Sequence, residues 1–167
     1  MGLIETFLNE FEHEAGTTRK LLERLPDDRL GFQPHPKSFS MGALATHIVN
    51  MVRWGAVTVK EDSFDVAPEG AAPYKEEPLP SSAALVAQFD TNLAAFREAL
   101  KASSDEALSA EWKLLAGGKT VMSMPRGMVL RSMILNHHIH HRGQLSVYIR
   151  MCDVPVPAIY GPSADES

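Results

Sequence analysis

The sequence predicts an all-α fold in which four long helices form a bundle, with a small β-hairpin before the last helix. Apolar residues recur at helical spacing in four segments of about 20 residues or more. A proline-containing stretch separates the second segment from the third, and a Gly-Gly pair between two strand-like runs precedes the fourth. A chain of 167 residues suits one domain, spanning residues 1–167.

The first helix is predicted over residues 3–25, where apolar side chains follow a helical repeat up to a proline. A connector follows over residues 27–40. Its prolines Pro34 and Pro36 flank His35 and forbid helix there. We expect His35 to be exposed, although such a loop could also carry it to a functional site.

The second helix is predicted to begin after Ser40, a suitable N-cap, and to run to about Lys60. His47 lies in its apolar stripe, with Leu44 and Met51 on the same side. A histidine on an apolar face is more often a hydrogen-bonded core residue than a ligand. It becomes a candidate ligand only when other core-facing histidines lie nearby.

Residues 62–80 are predicted to form a long irregular crossover, because they contain Pro68, Pro73, Pro78 and Pro80. A loop of this length is usually functional or mobile, and it permits parallel neighbouring helices. The third helix is predicted from a cap at Ser81–Ser82 to about Lys101. It contains no histidine, so we expect it to serve as scaffold.

A β-hairpin is predicted over residues 110–123, around Gly117–Gly118. The last helix is predicted from Pro125 to Met151, with proline in its first turn. It is expected to be the longest uninterrupted helix of the chain.

Four of the seven histidines lie within five consecutive positions of this helix. At about 100° per residue, His137 and His141 share one face, one turn apart. Leu130, Ile134 and Tyr148 lie on the same face. His138 and His140 fall on opposite flanks and are the poorer candidates.

The spacing of His137 and His141 allows two imidazoles to bind one ion. The alternatives are a pair of core histidines with hydrogen-bonded neighbours, or a solvated histidine-rich face. Burying two imidazoles without a partner is costly, which favours metal binding. With His47, the three rings would form a site for a divalent metal, zinc or nickel foremost, that leaves a coordination position open.

Two further residues on this face are candidates for binding or orienting a substrate. Gln144 lies next to the predicted metal site, where it could orient a ligand or a bound water molecule, and Tyr148 lies one turn further. Arg142 points away and is expected to serve structure or a dimer contact. Cys152, the single cysteine, has no cationic neighbour and is expected to be a packing residue.

The last helix also carries a second apolar stripe, interleaved with small residues. Its members are Met128, Leu135 and Ile139, together with Ser132, Gly143 and Ser146. The outer face of a bundle helix should be polar, so this stripe predicts a homodimer through the last helix. Coverage by the hairpin or by the C-terminal tail is the alternative.

Composition and charge exclude several classes of protein. A net charge of −5 and a pI near 5.8 argue against a nucleic-acid partner. No apolar run approaches 18 residues, which argues against a membrane span. The N-terminus lacks the pattern of a secretory signal, and a single cysteine suits a reducing compartment. We therefore expect a cytoplasmic protein that acts on a small molecule.

Four segments resemble those of one known family. They are Pro34–Ser38, Met41–His47, Asn136–Tyr148 and Tyr160–Ser163. They occur in the right order over nearly the whole chain, and they resemble the DinB/YfiT-like family of metalloenzymes. The segment Asn136–Tyr148 is specific, and the others support it.

The resemblance implies an up-down-down-up four-helix bundle, commonly dimeric, and a divalent metal bound by His47, His137 and His141. Members of known activity include thiol-dependent S-transferases and a mycothiol-dependent maleylpyruvate isomerase. A thiol-dependent S-transferase that uses a low-molecular-weight thiol is therefore the leading expectation. A metal-dependent hydrolase and a non-catalytic metal-binding stress-response dimer are the alternatives. The histidine segment lacks an acidic residue that could act as a general base, which weakens the interpretation of the protein as a metalloprotease.

Overall fold

The fold is mostly helical and also contains a small three-stranded sheet. The computed structural model describes residues 2–72 and 74–166; Met1, Pro73 and Ser167 lie outside the described residues. The elements in chain order are α1 (Leu3–Leu22), a 3₁₀ helix (Asp27–Arg29), α2 (Met41–Lys60), β1 (Ser63–Asp65), α3 (Ser82–Lys101), α4 (Asp105–Ser109), β2 (Glu111–Ala116), β3 (Lys119–Pro125), α5 (Arg126–Val129), a π-helical segment (Leu130–Asn136) and α6 (His137–Met151). We refer to α5, the π-helical segment and α6 together as the last helix.

The helices α2 and α3 begin at the predicted serine caps. The Ser40 hydroxyl accepts the backbone N–H of Ala43 at 3.2 Å, and the Ser81 hydroxyl accepts that of Ala84 at 3.1 Å. Both helices also end at the predicted residues. In contrast, α1 ends at Leu22 rather than at residue 25, because the following residues form shorter-range turns.

The four long helices surround one apolar core. α1 and α2 each pack against both α3 and the last helix. The fully buried residues of this core include Phe11, Ile48, Phe89, Phe96 and Leu145. At Gly55 of α2, an added Cβ would lie 2.8 Å from Cζ of Phe96 on α3, so these helices approach at a distance that requires glycine. This packing is compatible with a bundle, and the up-down-down-up order of the helices remains a prediction.

The predicted β-hairpin is confirmed. β2 and β3 pair antiparallel, and Gly117 and Gly118 between them have φ values of +60° and +73°. Two consecutive residues with positive φ form the turn that matches the twist of a two-stranded hairpin. Glycine adopts this conformation without steric cost.

The all-α prediction is corrected by a third strand. β1 pairs in parallel with β2, so the crossover predicted to be irregular over residues 62–80 begins with a strand. Three residues are too few to show the alternation that identifies a strand in sequence. Asp65 fixes this strand to the hairpin, because its carboxylate accepts the backbone N–H groups of Gly117 and Gly118 at 3.1 and 2.7 Å.

The last helix is not the uninterrupted α-helix that was predicted. The π-helical segment has wider turns, which rotate the residues after it by up to about 100° relative to an ideal α-helix. Met128, before this segment, is 59% exposed, whereas Leu135, inside it, no longer shares the face of Met128 and is fully buried. The predicted outer stripe is wrong at Leu135. The exposed apolar residues of the last helix are Met128, Met133, Val147 and Met151.

Arg142 has a structural role inside the protein. Its guanidinium is 1% exposed and forms an ion pair with Glu14 of α1 at 2.6 Å. It also donates to the hydroxyl of Tyr160 at 2.6 Å, and Tyr160 donates to Glu14 at 2.8 Å. This closed network joins α1, the last helix and the C-terminal segment. None of the described helices has the length and hydropathy needed to cross a membrane.

Candidate metal centre

Two helices bring three histidines together. His47 lies in the first half of α2, and His137 and His141 lie one turn apart at the start of α6. The ring centroids are 5.3 Å apart for His47 and His137, 4.9 Å for His47 and His141, and 4.6 Å for His137 and His141. One ring nitrogen from each residue lies within 4.8 Å of the other two. These are the three residues that the sequence selected.

Hydrogen bonds to two of the rings set which nitrogen is free. Nδ1 of His47 donates to Oε2 of Glu76 at 2.9 Å, and Nδ1 of His141 donates to Oε1 of Gln144 at 2.6 Å. A proton on Nδ1 leaves Nε2 with its lone pair. Both residues thus have Nε2 as the nitrogen available to bind an ion.

The third ring shares a proton with the second. Nε2 of His137 and Nε2 of His141 are 2.8 Å apart, a hydrogen bond that requires a proton on one of the two nitrogens. A cation between the rings would take the place of that proton. Nδ1 of His137 is buried and has no hydrogen-bond partner in residues 2–72 and 74–166.

The surroundings keep two of the three rings neutral. Burial, together with the smaller effects of the neighbouring His137 and His47, lowers the pKa of His141 to about 4, although the hydrogen bond with Gln144 opposes the shift. Burial and the charge of His47 also lower the pKa of His137. Neutral imidazole is the form that binds metals, so these two rings are in a ligand-ready state at neutral pH.

Glu76 adds a negative charge behind one ring. Its burial raises the pKa of its carboxyl, but the hydrogen bond and charge of His47 outweigh burial and hold the pKa below its ordinary value. A carboxylate that orients a metal-binding histidine and makes it more basic is common in metalloproteins. The Tyr74 hydroxyl donates to the other Glu76 oxygen at 3.2 Å and so fixes the carboxylate in turn.

The arrangement fits a divalent ion. Three imidazoles form the donor set that zinc, nickel and related ions accept. The rings of His47 and His141 are oriented by hydrogen bonds at Nδ1, which leave Nε2 of each ring free. His47 and His137 are partly exposed, which leaves the cluster accessible to a small molecule.

The two residues predicted to bind or orient a substrate, Gln144 and Tyr148, have different contacts in the structure. Gln144 contacts the cluster through His141, so it positions a ring. Tyr148 is buried, and its ring meets Phe32 edge-on at 6.1 Å. Its role toward a substrate remains a prediction.

The remaining histidines of the last helix do not join the cluster, as predicted. His138 is fully buried on the other side of the helix, where Nε2 lies 2.7 Å from the Thr18 hydroxyl. Burial lowers the pKa of His138 to about 3, so it is a neutral core residue. His140 is exposed, and so is His35, whose Nδ1 accepts the N–H of Lys37.

Sequence reasoning missed three residues that contact the cluster. Glu76 comes from the crossover, 29 positions after His47. Phe39 stacks on His47 at a centroid distance of 5.8 Å, and Trp54 meets the same ring edge-on at 5.9 Å. The length of the crossover was the available signal for Glu76, since long loops in compact domains are often functional.

An apolar cavity of about 160 Å³ borders the cluster. His137 forms part of its wall, and the rest comes from α2, the sheet and the last helix. The candidate metal centre therefore lies beside an apolar cavity.

The chain is similar to proteins from several bacilli. It is 32% identical to the uncharacterized protein YrdA of Bacillus subtilis over 98% of this chain and 91% of that protein. It is 26% identical to the uncharacterized protein YjoA of the same organism over 86% of each chain. A crystal structure of a DinB-like protein from Bacillus cereus superposes with a TM-score of 0.72 at 27% identity, covering 93% of this chain and 97% of the other. The crystal structure of YjoA, a DinB-like protein, superposes with a TM-score of 0.71 at 21% identity and shares the fold.

The model of the DinB family matches the chain over residues 1–167. The match includes both helices that carry the three histidines and the crossover that carries Glu76. The chain belongs to the DinB family.

Proposed function

We propose that this protein is a metal-dependent enzyme that transfers a low-molecular-weight thiol onto an electrophilic small molecule. The observation that carries the proposal is the cluster of His47, His137 and His141, with Nε2 freed on two rings by hydrogen bonds at Nδ1. Zinc or nickel is the proposed ion, because nitrogen ligands suit both.

The charge balance of the site favours an anionic ligand. A bound divalent ion supplies Lewis acidity, which lowers the pKa of a thiol or of a water molecule that reaches it. His137 and His141 are neutral, and Glu76 contributes one negative charge through its hydrogen bond with His47. The positive charge that remains favours the thiolate, which is the nucleophilic form of a thiol.

A metal-dependent hydrolase is the second candidate. Its reaction needs a group that accepts a proton from water. Glu76 is the carboxylate that contacts the cluster, but its oxygens already accept hydrogen bonds from His47 and Tyr74. It is therefore better suited to orienting His47, which makes the transferase the stronger proposal. The third candidate, a non-catalytic metal-binding dimer, does not account for the apolar cavity beside His137.

The proposal includes a homodimer through the last helix and a cytoplasmic location. Four exposed apolar side chains on the last helix support the dimer: Met128, Met133, Val147 and Met151. Light scattering of the protein and of the Val147→Glu variant tests it. A monomer in both cases would contradict the dimer.

A thiol-consumption assay tests the activity. The metal-loaded protein is incubated with a panel of low-molecular-weight thiols and neutral electrophiles, and free thiol is measured over time. We expect metal-dependent consumption that is lost in His47→Ala and kept in His35→Ala, which alters an exposed histidine outside the cluster. Cleavage of esters or amides without thiol consumption would favour the hydrolase.

A further inference from the structure

The cavity next to His137 has an unusual combination of wall residues. It lies between α2, the three-stranded sheet and the last helix, and has a volume of about 160 Å³. Its apolar wall includes Val57, Phe64, Leu114, Met122 and Ile134. The polar side chains that line it are Thr58, His137 and the indoles of Trp54 and Trp112, and none of the lining residues carries a formal charge at neutral pH.

The size of the cavity limits what it can hold. An apolar protein cavity of about 150 Å³ remains dry and binds benzene. The cavity described here is of that volume, so it suits one six-membered ring or a branched aliphatic group of similar size. An anion would leave water without gaining a cation from the wall, which is costly.

The wall offers a ligand almost no polar surface. The indole N–H groups of Trp54 and Trp112 have no hydrogen-bond partner in the described part of the chain, but both nitrogens are buried behind the wall. A ligand in this cavity therefore gains mainly apolar contact.

We propose that the cavity binds the apolar part of the electrophilic substrate, which is one aromatic ring or a branched aliphatic group of similar size. This inference rests on the proposed function, because the shared residue His137 places the cavity beside the metal ligands. The apolar group lies against Phe64 and Leu114, and the reacting end of the molecule lies next to His137. In the metal-free protein, the uncharged wall disfavours anions of the same shape.

Binding to the metal-free protein tests the inference without any turnover. Three probes of similar shape are compared by calorimetry: acetophenone, which has an acceptor, ethylbenzene, which lacks one, and benzoate, which is charged. We expect acetophenone and ethylbenzene to bind with similar affinity and benzoate to bind at least about tenfold more weakly, because its charge would leave water for an uncharged wall. Equal affinity for benzoate and acetophenone, or no saturable binding of acetophenone, would overturn the inference.

Proton–nitrogen NMR locates the probe. The protein contains two tryptophans, Trp54 and Trp112, and both line the cavity. We expect acetophenone and ethylbenzene to shift both indole signals, because both rings would contact the bound probe. Saturable binding that leaves both indole signals unchanged would contradict binding in this cavity.

A cavity-filling variant separates this site from the surface. Val66→Phe adds volume at the cavity wall, and Val121→Phe adds the same volume at an exposed position of β3. We expect at least about tenfold weaker acetophenone binding in the first and no change in the second. Circular dichroism checks that both variants fold. If one variant does not fold, the comparison of the three probes on the unmodified protein tests the inference instead. Probe binding without thiol transfer would leave the cavity assignment standing and reject the proposed reaction.

Discussion

The ring of His47 donates a hydrogen bond from Nδ1 to Oε2 of Glu76 at 2.9 Å, across 29 positions of sequence. This bond joins α2 to the crossover and leaves Nε2 of His47 facing the other two imidazoles. The crossover thereby contributes to the candidate metal centre, although it supplies none of the three histidines.

Removing one histidine should remove the metal. Loss of a group that only orients a ligand typically lowers metal affinity by about 10-fold to 100-fold. We expect His141→Ala to lower the affinity for zinc or nickel by more than that, because it removes a ligand itself. His140→Ala is the matched control, because it changes the adjacent, exposed histidine. Elemental analysis of both purified variants measures the effect, and equal metal content in the two would refute the assignment.

Replacing the carboxylate behind His47 should weaken metal binding without abolishing it. Glu76→Gln removes the negative charge that orients His47, so we expect about 10-fold to 100-fold lower metal affinity. Glu77→Gln makes the same change at a neighbouring side chain that is 75% exposed and pairs with Lys75. A competition titration with a metal-binding dye compares the two, and identical affinities would show that Glu76 has no such role.

Asp65 should stabilise the sheet only while it is ionised. Hydrogen bonds from the backbone N–H groups of Gly118, Ala67 and Gly117 hold the pKa of its carboxyl below the ordinary value of 3.8. The folded state therefore binds this proton less readily than the unfolded state, so the contribution is complete above about pH 4 and is lost as the pH falls through the lowered pKa. We expect Asp65→Asn to have a lower melting temperature than the unmodified protein at pH 7. Near pH 2 the two melting temperatures should become similar.

The control for this experiment is Asp28→Asn, which changes a carboxylate that is 81% exposed. This control should change the melting temperature little at either pH. If the melting temperatures of Asp65→Asn and of the unmodified protein differ by the same amount down to pH 2, the charge of Asp65 does not have the proposed role.

Breaking the buried ion pair should be strongly destabilising. Glu14→Gln leaves the guanidinium of Arg142 buried without its counter-ion, which typically costs about 3 to 5 kcal/mol of unfolding free energy. Glu10→Gln breaks an exposed pair with Arg131, for which we expect at most about 1 kcal/mol. Urea denaturation of both variants measures the contrast. Similar losses of unfolding free energy in the two variants would show that the burial of Arg142 does not determine the cost of breaking its ion pair.

Glycine should be required at one position of α2 and dispensable in α1. Gly55→Ala places a Cβ 2.8 Å from Phe96, so overpacking should cost about 1 to 3 kcal/mol in spite of the better helix propensity of alanine. At Gly16 an added Cβ meets nothing within 4 Å among the described residues, and Gly16→Ala should gain up to about 1 kcal/mol. Thermal unfolding of both variants is the measurement, and a gain at Gly55 would contradict the close packing of α2 and α3.

Local rules were sufficient for several elements of the fold. Serine caps, helical periodicity and a Gly-Gly turn depend on residues within a few positions of one another, so α2, α3 and the hairpin were predicted near their observed bounds. Strand β1 was missed because its partner β2 lies about 50 positions away, with Phe64 paired to Leu114. Such pairing is a long-range property that a three-residue segment does not encode locally.

The sequence alone determined the three histidines, because helix geometry places His137 and His141 on one face and the apolar stripe turns His47 inward. Only the tertiary structure decided which groups surround them. Glu76 and Trp112 reach the centre and its cavity from the crossover and the sheet, and Leu135 is buried because a π-helical turn rotates the helix. The physical reason is that periodicity fixes directions within a single helix, whereas contacts between segments distant in sequence depend on how the whole chain packs.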